Sequence, residues 1–294
     1  MSDYLTLDPR ELEARKLHGY LLGSITPRPI AFASTLDREG RPNLAPYSYF
    51  NVFSTRPPIL IFAPNRSGLT GQQKDTALNA LDTFEVVINL VSWNMVQQMN
   101  LASGEFERGV SEFEKSGLTP LASEVVRPPR VAESPVQFEC RVREVLVVGG
   151  EGQSGNLVIC EIVRMHLQTR ILNAAGQIDP LRLDVVARMG GNWYLRPTPS
   201  GLFERPKPNL PLVGWDGLPE PIRHSTVLTG NEIAQLAHAA HLPAAAELAA
   251  FQASAEGQAL VKGLEVREDY HAAAAHLLAA GRLEDALRVA LLAP

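Results

Sequence analysis

The sequence predicts a mainly β domain with short helices, followed by an α-helical C-terminal extension. Between residues 30 and 194 the strongest patterns are strand-like, and the short helical stretches do not alternate regularly with the strands. This arrangement disfavours a doubly wound parallel sheet and favours a closed antiparallel barrel. Beyond residue 195 the chain becomes first proline-rich and then alanine-rich. We therefore expect three parts, at residues 1–195, 196–223 and 224–294.

The predicted strands are rich in Val and Ile and are bounded by Pro, Gly or Asn. In the first of them, apolar and small residues alternate with the two-residue period of a strand. Short helices are expected near residues 75–82, 95–101 and 110–116. The six predicted strands cover residues 29–36, 43–51, 59–63, 84–90, 136–148 and 157–172.

The C-terminal part carries local helix signals. Residues 196–221 contain seven prolines and almost no periodicity, which is typical of a linker or a surface arm. Thr229 and Glu232 have the spacing of a capping box, in which each side chain satisfies a free amide at a helix start. Pro243 suits the first position of a further helix. A last helical stretch, residues 269–292, is interrupted at Gly281.

Composition limits the function. The chain has 294 residues, 45% of them hydrophobic, and a net charge of −5. Mild acidity disfavours nucleic acid or an anionic membrane as the main partner. The N-terminus lacks a signal-peptide core, and no apolar run approaches the ~20 residues of a membrane helix. Two cysteines make no disulfide framework. We expect a soluble cytoplasmic protein.

Several common catalytic motifs are absent from the sequence. It has no GxSxG, HExxH or CxxC motif. The stretch GLTGQQKDT resembles a phosphate loop but has Gln73 where a glycine is needed. The stretch GGEGQSGN lies between two strand runs and is typical of a hairpin turn. His238 and His241 lie three residues apart without an evident third ligand, so no metal site is predicted.

Polar and cationic residues cluster around the first three strands. Arg, Lys and several hydroxyl side chains converge on one end of the predicted sheet, where they could bind a phosphate group. The prolines of residues 41–62 impose irregular extended backbone, leaving amides and carbonyls free to contact a flat heterocycle. The same residues are also ordinary turn formers, and Lys74-Asp75-Thr76 could be merely a helix start. Both interpretations remain open from the residues alone.

A family resemblance favours the first interpretation. PRPIAFASTLDREGRPNLAPYSYFNVFSTRPPILIF, followed by RSGLTGQQKDTALNALDTFEVVINL, resembles the flavin reductase-like family of FMN-binding split barrels. The similarity continues to ARMGGNWY and covers residues 17–194. It implies a six-stranded antiparallel split β-barrel, a homodimer, and FMN near the subunit interface. The C-terminal extension is outside the resemblance.

The resemblance also implies which residues bind the flavin, while Asp75 is expected to cap the following helix. His166 matches a histidine that members often carry and is a candidate for the nicotinamide pocket, or else it packs at the barrel edge. No acid–base residue is required, because the cofactor carries the chemistry. The phosphate candidates are Thr26, Arg28, Arg66, Ser67, Lys74 and Thr76, and those for the ring and ribityl chain are Ser34, Thr35, Pro46, Tyr47, Ser48 and Asn51.

Two functions are compatible with the resemblance. The first is an NAD(P)H-dependent FMN reductase that takes electrons from NADH or NADPH, a class that includes the reductase components of two-component monooxygenases. The second is a non-enzymatic FMN-binding electron carrier, similar to flavoredoxin, whose helical tail docks a redox partner. The sequence favours the reductase and leaves the alternative open.

Overall fold

The structure, a computed structural model, describes residues 3–68, 70–150, 152–205, 207–208 and 210–294. The chain divides into two compact units, Met1–Phe203 and Glu204–Pro294. The sequence-based boundaries at residues 195 and 223 remain a proposal about domains. The two units are described separately below.

One antiparallel sheet forms the centre of the N-terminal unit. Its seven strands follow the order β2-β1-β5-β8-β9-β4-β3, so β2 and β3 are the two edges. The expectation of six strands in a closed barrel is therefore wrong in strand count and in closure. The strands are β1 Ala31–Leu36, β2 Pro42–Tyr47, β3 Phe50–Thr55, β4 Pro58–Phe62, β5 Glu85–Asn89, β8 Val136–Val147 and β9 Asn156–Leu167.

The extra strand arises where one long strand was predicted over residues 43–51. Ser48 and Tyr49 form a bend that separates β2, which pairs with β1, from β3, which pairs with β4. The chain thus passes from one sheet edge to the other through two residues, a span of at most about 11 Å. The two edges must approach each other at this bend. The sheet is consequently rolled into a barrel-like form that no β2–β3 ladder closes.

The core of the N-terminal unit has two buried clusters, because neighbouring residues of a strand face opposite sides. Ala31 and Ala33 of β1 belong to a cluster that includes Phe62 of β4. Ile30 and Phe32 belong to the other cluster, with methionines from the segments that follow β5. The period-two pattern of the first predicted strand is thereby confirmed.

Short elements complete the N-terminal unit, and the three predicted short helices are present with shifted ends. Two pairs of two-residue strands, β6 with β7 and β10 with β11, form separate small ladders. The helices are α1 Ala14–Ser24, α2 Asp75–Thr83, α3 Val96–Ala102, α4 Glu112–Ser116 and α5 Pro180–Leu183, and the short strands are β6 Pro120–Leu121, β7 Arg130–Val131, β10 Ala187–Arg188 and β11 Tyr194–Leu195.

The C-terminal unit is helical and has its own buried core, which includes Leu236 and Leu287. The predicted capping box is confirmed at Thr229 and Glu232. Pro243 does not begin a helix, because the helix starts two residues later with Ala244 as its N-cap. The predicted break at Gly281 is confirmed: this glycine lies between two helices and has a positive φ of 75°. The helices are α6 Gly214–Gly217, α7 Glu220–Arg223, α8 Gly230–Leu236, α9 Ala245–Ala253, α10 Ala255–Val261, α11 Arg267–Ala279 and α12 Leu283–Leu291.

Membrane-spanning helices were not expected from the sequence. Within the described ranges, no helix combines the length and the apolar character that crossing a bilayer requires.

Buried Asn89 links three segments of the N-terminal unit, and its replacement by Ala should destabilise the fold. Its side-chain amide donates to the Phe32 carbonyl at 3.0 Å, and its side-chain oxygen accepts from the Val131 amide at 2.9 Å. Asn89→Ala leaves that buried amide without its acceptor, so we expect a loss of about 1–3 kcal/mol of unfolding free energy. Urea denaturation measures it. Asn51→Ala is the matched control and should change stability little, because the Asn51 side chain is exposed and, among the described residues, accepts a hydrogen bond from the Val52 amide alone.

Candidate functional site

A cleft lies beside the C-terminal half of β2. It consists of two neighbouring cavities, of about 360 Å³ and about 340 Å³. Pro46, Tyr47 and Ser103 line both of them. Each volume falls in the range of small-molecule sites. The larger cavity reaches the start of α2, and the smaller one reaches β10 and β11.

The outer edge of β2 is almost without hydrogen-bond donors. The Leu44 amide points away from β1 and donates to Oε2 of Glu112 at 2.9 Å. By the two-residue period, Pro42 and Pro46 share that edge, and neither has an N–H group. The prolines noted in the sequence therefore lie where a strand tolerates them, at an edge. The single remaining donor is capped by a buried carboxyl group.

Thr76 of α2 joins two side chains of β2. Its hydroxyl lies 2.8 Å from the side-chain amide of Asn43 and 2.9 Å from the hydroxyl of Tyr47. Thr76 is fully buried, whereas Asn43 and Tyr47 line the cleft. Burial raises the pKa of Tyr47 well above its ordinary value, against the bond to Thr76, so the phenol keeps its proton. The predicted phosphate ligand Thr76 thus supports the cleft from beneath.

Thr35 and Ser34 face opposite sides of β1. The Thr35 hydroxyl accepts from the side-chain amides of Asn79, at 3.1 Å, and Asn43, at 3.4 Å. Ser34 is fully buried, and its hydroxyl has no hydrogen-bond partner in the described part of the chain. Because Asn43 lies opposite Thr35 in the β1–β2 register, Thr35 is on the side of α2. Thr35 therefore supports the cleft lining, while Ser34 faces the other cluster.

The larger cavity has an end suited to an anion. Ser67 and Lys74 line it, and α2 begins immediately after Lys74. A helix start presents amide donors and the positive end of the helix dipole, so it favours negative charge. Asp75 does not cap the helix, since Lys74 holds the N-cap position; it pairs instead with Arg108 at 2.8 Å. Lys74 forms an ion pair with Glu105.

The loop before α2 contains further polar atoms. Arg66 donates to the Gly71 carbonyl at 3.3 Å, and its backbone pairs with Gln153 and Ser154 of the β8–β9 connection. Its buried Nε atom and the buried Oε1 of Gln73 have no partner among the described residues. Gln73 lines the cleft, but Arg66 does not belong to its lining. The GGEGQSGN stretch connects β8 to β9, as predicted, with Glu151 outside the described residues.

Arg28, proposed from the sequence as a phosphate ligand, is used to hold the backbone. Its guanidinium donates to the carbonyls of Leu22 and Ile25, both at 2.6 Å, and of Met189 at 3.0 Å. A weaker contact of 3.4 Å reaches the hydroxyl of Ser48, which lines the smaller cavity. Arg28 thus anchors the end of α1 near the cleft, with most of its donors already engaged.

Three other candidates lie outside the cleft lining. Thr26 is half-buried beyond the end of α1, and Asn51 is exposed on β3. His166 bonds to Oε1 of the buried Glu139 at 2.7 Å. Burial opposes ionisation of Glu139, but three backbone amides and His166 outweigh it and lower the pKa of that carboxyl. The structure thereby corresponds to the packed alternative for His166. The predicted residues that line the cleft are Pro46, Tyr47, Ser48, Ser67 and Lys74.

Sequence reasoning missed the wall opposite β2. The segment from Ser103 to Arg108 lines the larger cavity together with Glu112, and Arg188 and Tyr194 line the smaller one. The Arg188 guanidinium lies 4.6 Å from the centre of the Tyr194 ring. All of these residues are far from β2 in sequence. Residues 103–108 and Glu112 carry no local motif, whereas Arg188 and Tyr194 fall within ARMGGNWY, which was noted only for the family resemblance. Only the alternation of Glu and Arg in GEFERG hinted at ion pairing across a surface.

The cleft fits a flat ligand that carries a phosphate group. Cation, hydroxyl and helix start meet at one end, and a proline-edged strand with a tyrosine continues from there. Gln73, whose buried Oε1 atom has no partner among the described residues, also lines the larger cavity. The arrangement can bind and orient such a ligand, and no nucleophile is paired with a base among the described residues that line it.

The chain is similar to known proteins in sequence and in fold. A family model, that of the flavin reductase like domain, matches residues 22–181. An uncharacterized protein of Aquifex aeolicus is 35% identical over 188 residues, covering 64% of this chain and 93% of that protein. Component B of nitrilotriacetate monooxygenase from Bacillus cereus has 31% identity and a TM-score of 0.64, covering 70% of this chain and 100% of that one. A 2-nitrobenzoate 2-nitroreductase from Pseudomonas fluorescens has 26% identity and a TM-score of 0.59, covering 70% of this chain and 96% of that one.

Two replacements of Glu112 should separate the contribution of its hydrogen bond to stability from the contribution of its charge. Burial, with a smaller contribution from the charge of Asp75, raises the pKa of Glu112. Glu112→Leu leaves the Leu44 amide without an acceptor and should cost about 1–3 kcal/mol of unfolding free energy. Glu112→Gln retains an acceptor and should cost less.

The same pair of variants gives a pH test. Because the folded state holds the Glu112 proton more tightly than the unfolded state, its contribution to stability is full below the ordinary pKa of glutamate. The contribution is lost as the pH rises through the raised pKa of the folded state. Denaturation curves recorded from about pH 4, near the ordinary pKa of glutamate, to about pH 8 should show wild type losing stability relative to Glu112→Gln as the pH rises. Parallel pH profiles would contradict the assignment.

Proposed function

The chain belongs to the flavin reductase like domain family, and from that premise we propose that it is an FMN-binding, NAD(P)H-dependent flavin reductase. The observation that carries the proposal is the cleft beside β2, in which one end suits a phosphate and the adjoining wall suits a flat ring. The relative from Bacillus cereus, named as a monooxygenase component, supports a role as the reductase partner of an oxygenase.

The phosphate of FMN is assigned to the start of α2. Lys74 supplies a positive charge, Ser67 a hydroxyl group, and the first turn of α2 its amides. Charge-assisted hydrogen bonds of this kind are stronger than neutral ones, so this end would dominate the affinity. Thr76, first proposed as a direct ligand, acts here by fixing Asn43 and Tyr47 of the wall.

The isoalloxazine ring is assigned to the wall formed by β2. Pro46, Tyr47 and Ser48 line it, and Ser103 faces them from the other side. When bound, FMN supplies the hydride-accepting chemistry, and NADH or NADPH supplies the hydride. The chain binds and orients the flavin and keeps one side of the cleft open to the donor. Tyr47, whose phenol stays protonated, adds no charge to this wall.

A homodimer is part of the proposal. Val52 and Phe53 of the edge strand β3 are 57% and 63% exposed, and Ile25 at the end of α1 is 62% exposed. Tyr49 and Leu21 line one groove that joins the β2–β3 bend to α1. Exposed apolar side chains grouped in this way are typical of an interaction surface. A second copy covering β3 and α1 would lie next to the wall assigned to the flavin.

Anaerobic stopped-flow absorbance tests the reductase. The FMN-loaded full-length protein is mixed with NADH and, separately, with NADPH. We expect the flavin band near ~450 nm to disappear within seconds with at least one donor, because the bound flavin accepts hydride directly. A flavin that binds but stays oxidised with both donors would contradict the reductase and favour the electron carrier. Protein without added flavin is the blank.

A charge on β3 tests the dimer. Phe53→Asp places a carboxylate in the proposed apolar interface, and burying an unpaired charge is costly. We expect wild type to sediment as a dimer and the variant as a monomer at the same concentration. Leu101→Asp, at a side chain 58% exposed on α3, is the control and should remain dimeric. A monomeric wild type would exclude the proposed assembly.

A further inference from the structure

The segment from Ser103 to Arg108 forms one side of the anion-binding end of the cleft. It follows α3, and two ion pairs join it to the start of α2. Lys74 pairs with Glu105, and Asp75 pairs with Arg108 at 2.8 Å. Each pair links one charge of the segment to one charge at the helix start. The segment and the proposed phosphate site are therefore electrostatically coupled.

Glu105 and a flavin phosphate would share one cation. The ammonium group of Lys74 lines the cleft beside the start of α2, and the carboxylate of Glu105 is paired with it. A phosphate that binds Lys74 must either displace this carboxylate or lie beside it, and like charges at short range repel. We propose that Glu105 is an internal competitor for the flavin phosphate. It lowers the preference of the site for FMN over riboflavin, which lacks the phosphate.

The solvent exposure of Lys74 and Glu105 determines how strongly Glu105 competes with the phosphate. The Lys74 side chain is 34% exposed and that of Glu105 is 54% exposed. An ion pair so accessible to water is weak, so a phosphate can replace the Glu105 carboxylate at Lys74 at low cost. Glu105 therefore tunes the affinity without blocking the site. This inference rests on the proposed function and deepens it, because a weakened phosphate contact suits FMN that exchanges as a substrate.

Flavin titrations test the competition. Full-length wild type and Glu105→Gln are titrated with FMN and with riboflavin, following the quenching of flavin fluorescence at fixed ionic strength. We expect Glu105→Gln to bind FMN about three- to fivefold more tightly, the size of an exposed ion pair. Its affinity for riboflavin should stay as in wild type, because that ligand makes no contact through a phosphate.

Two further variants separate the specific pair from general effects. Glu107→Gln removes the same charge from the same segment, and Glu107 forms no ion pair with any described residue. It should improve FMN binding less than Glu105→Gln does. Arg108→Gln loosens the segment without freeing Lys74, and it should not reproduce the gain for FMN.

The outcomes distinguish this inference from the proposed function. A gain confined to FMN and to Glu105→Gln supports the competition. Equal gains for FMN and riboflavin, or equal gains in Glu105→Gln and Glu107→Gln, overturn it while flavin binding stands. A gain for FMN in Arg108→Gln also overturns it, since release of the segment would then be the cause. If wild type binds neither flavin, the proposed function and the inference both fail.

Discussion

The N-terminal unit depends on the passage from β2 to β3 through two residues. This short connection forces opposite edges of one sheet to approach each other, so the sheet has to roll. Closure would need donors along the edge of β2, and Pro42 and Pro46 supply none there. The remaining amide, at Leu44, is occupied by Glu112. Because the sheet rolls but its edges β2 and β3 do not pair, a cleft remains beside β2.

Buried polar contacts then fix the parts of the cleft in one geometry. Thr76 bonds to two side chains of β2, and Asn79 of the same helix bonds to Thr35 of β1. Helix α2 is consequently tied to β2 through Asn43 and Tyr47, which also line the cleft, and to β1 through Thr35, which does not line it. A site supported in this way is more precise than one on a free loop. Thr35, Thr76 and Asn79 therefore act as supports, whereas Asn43 and Tyr47 both hold the cleft together and line it.

Elements with a local signal could be predicted from the sequence, and those fixed by distant contacts could not. The alternation in β1, the capping box at Thr229 and the break at Gly281 depend on neighbouring residues, and all three are present. The division of one strand at Ser48 depends on pairing with β4, which lies outside any local pattern. Arg28 was a candidate because of its charge and His166 because of the family resemblance, but backbone carbonyls engage Arg28 and a buried carboxylate engages His166. The family resemblance pointed to the region in which the cleft lies, whereas burial and pairing decide which of the predicted side chains line it.

The charges around the cleft favour short-range recognition. Among the described residues that line the larger cavity, four carboxyl side chains accompany two cationic ones. Such a lining attracts a phosphate weakly from a distance, since the net charge there is not positive. Affinity must then come from directed contacts at the start of α2, where donors meet the anion at hydrogen-bond distance. Salt would weaken such binding less than it weakens binding to a basic groove, because screening acts mainly on separated charges. Under the proposed function, donor geometry at the start of α2 would therefore select the phosphate, and Glu105 would limit its affinity.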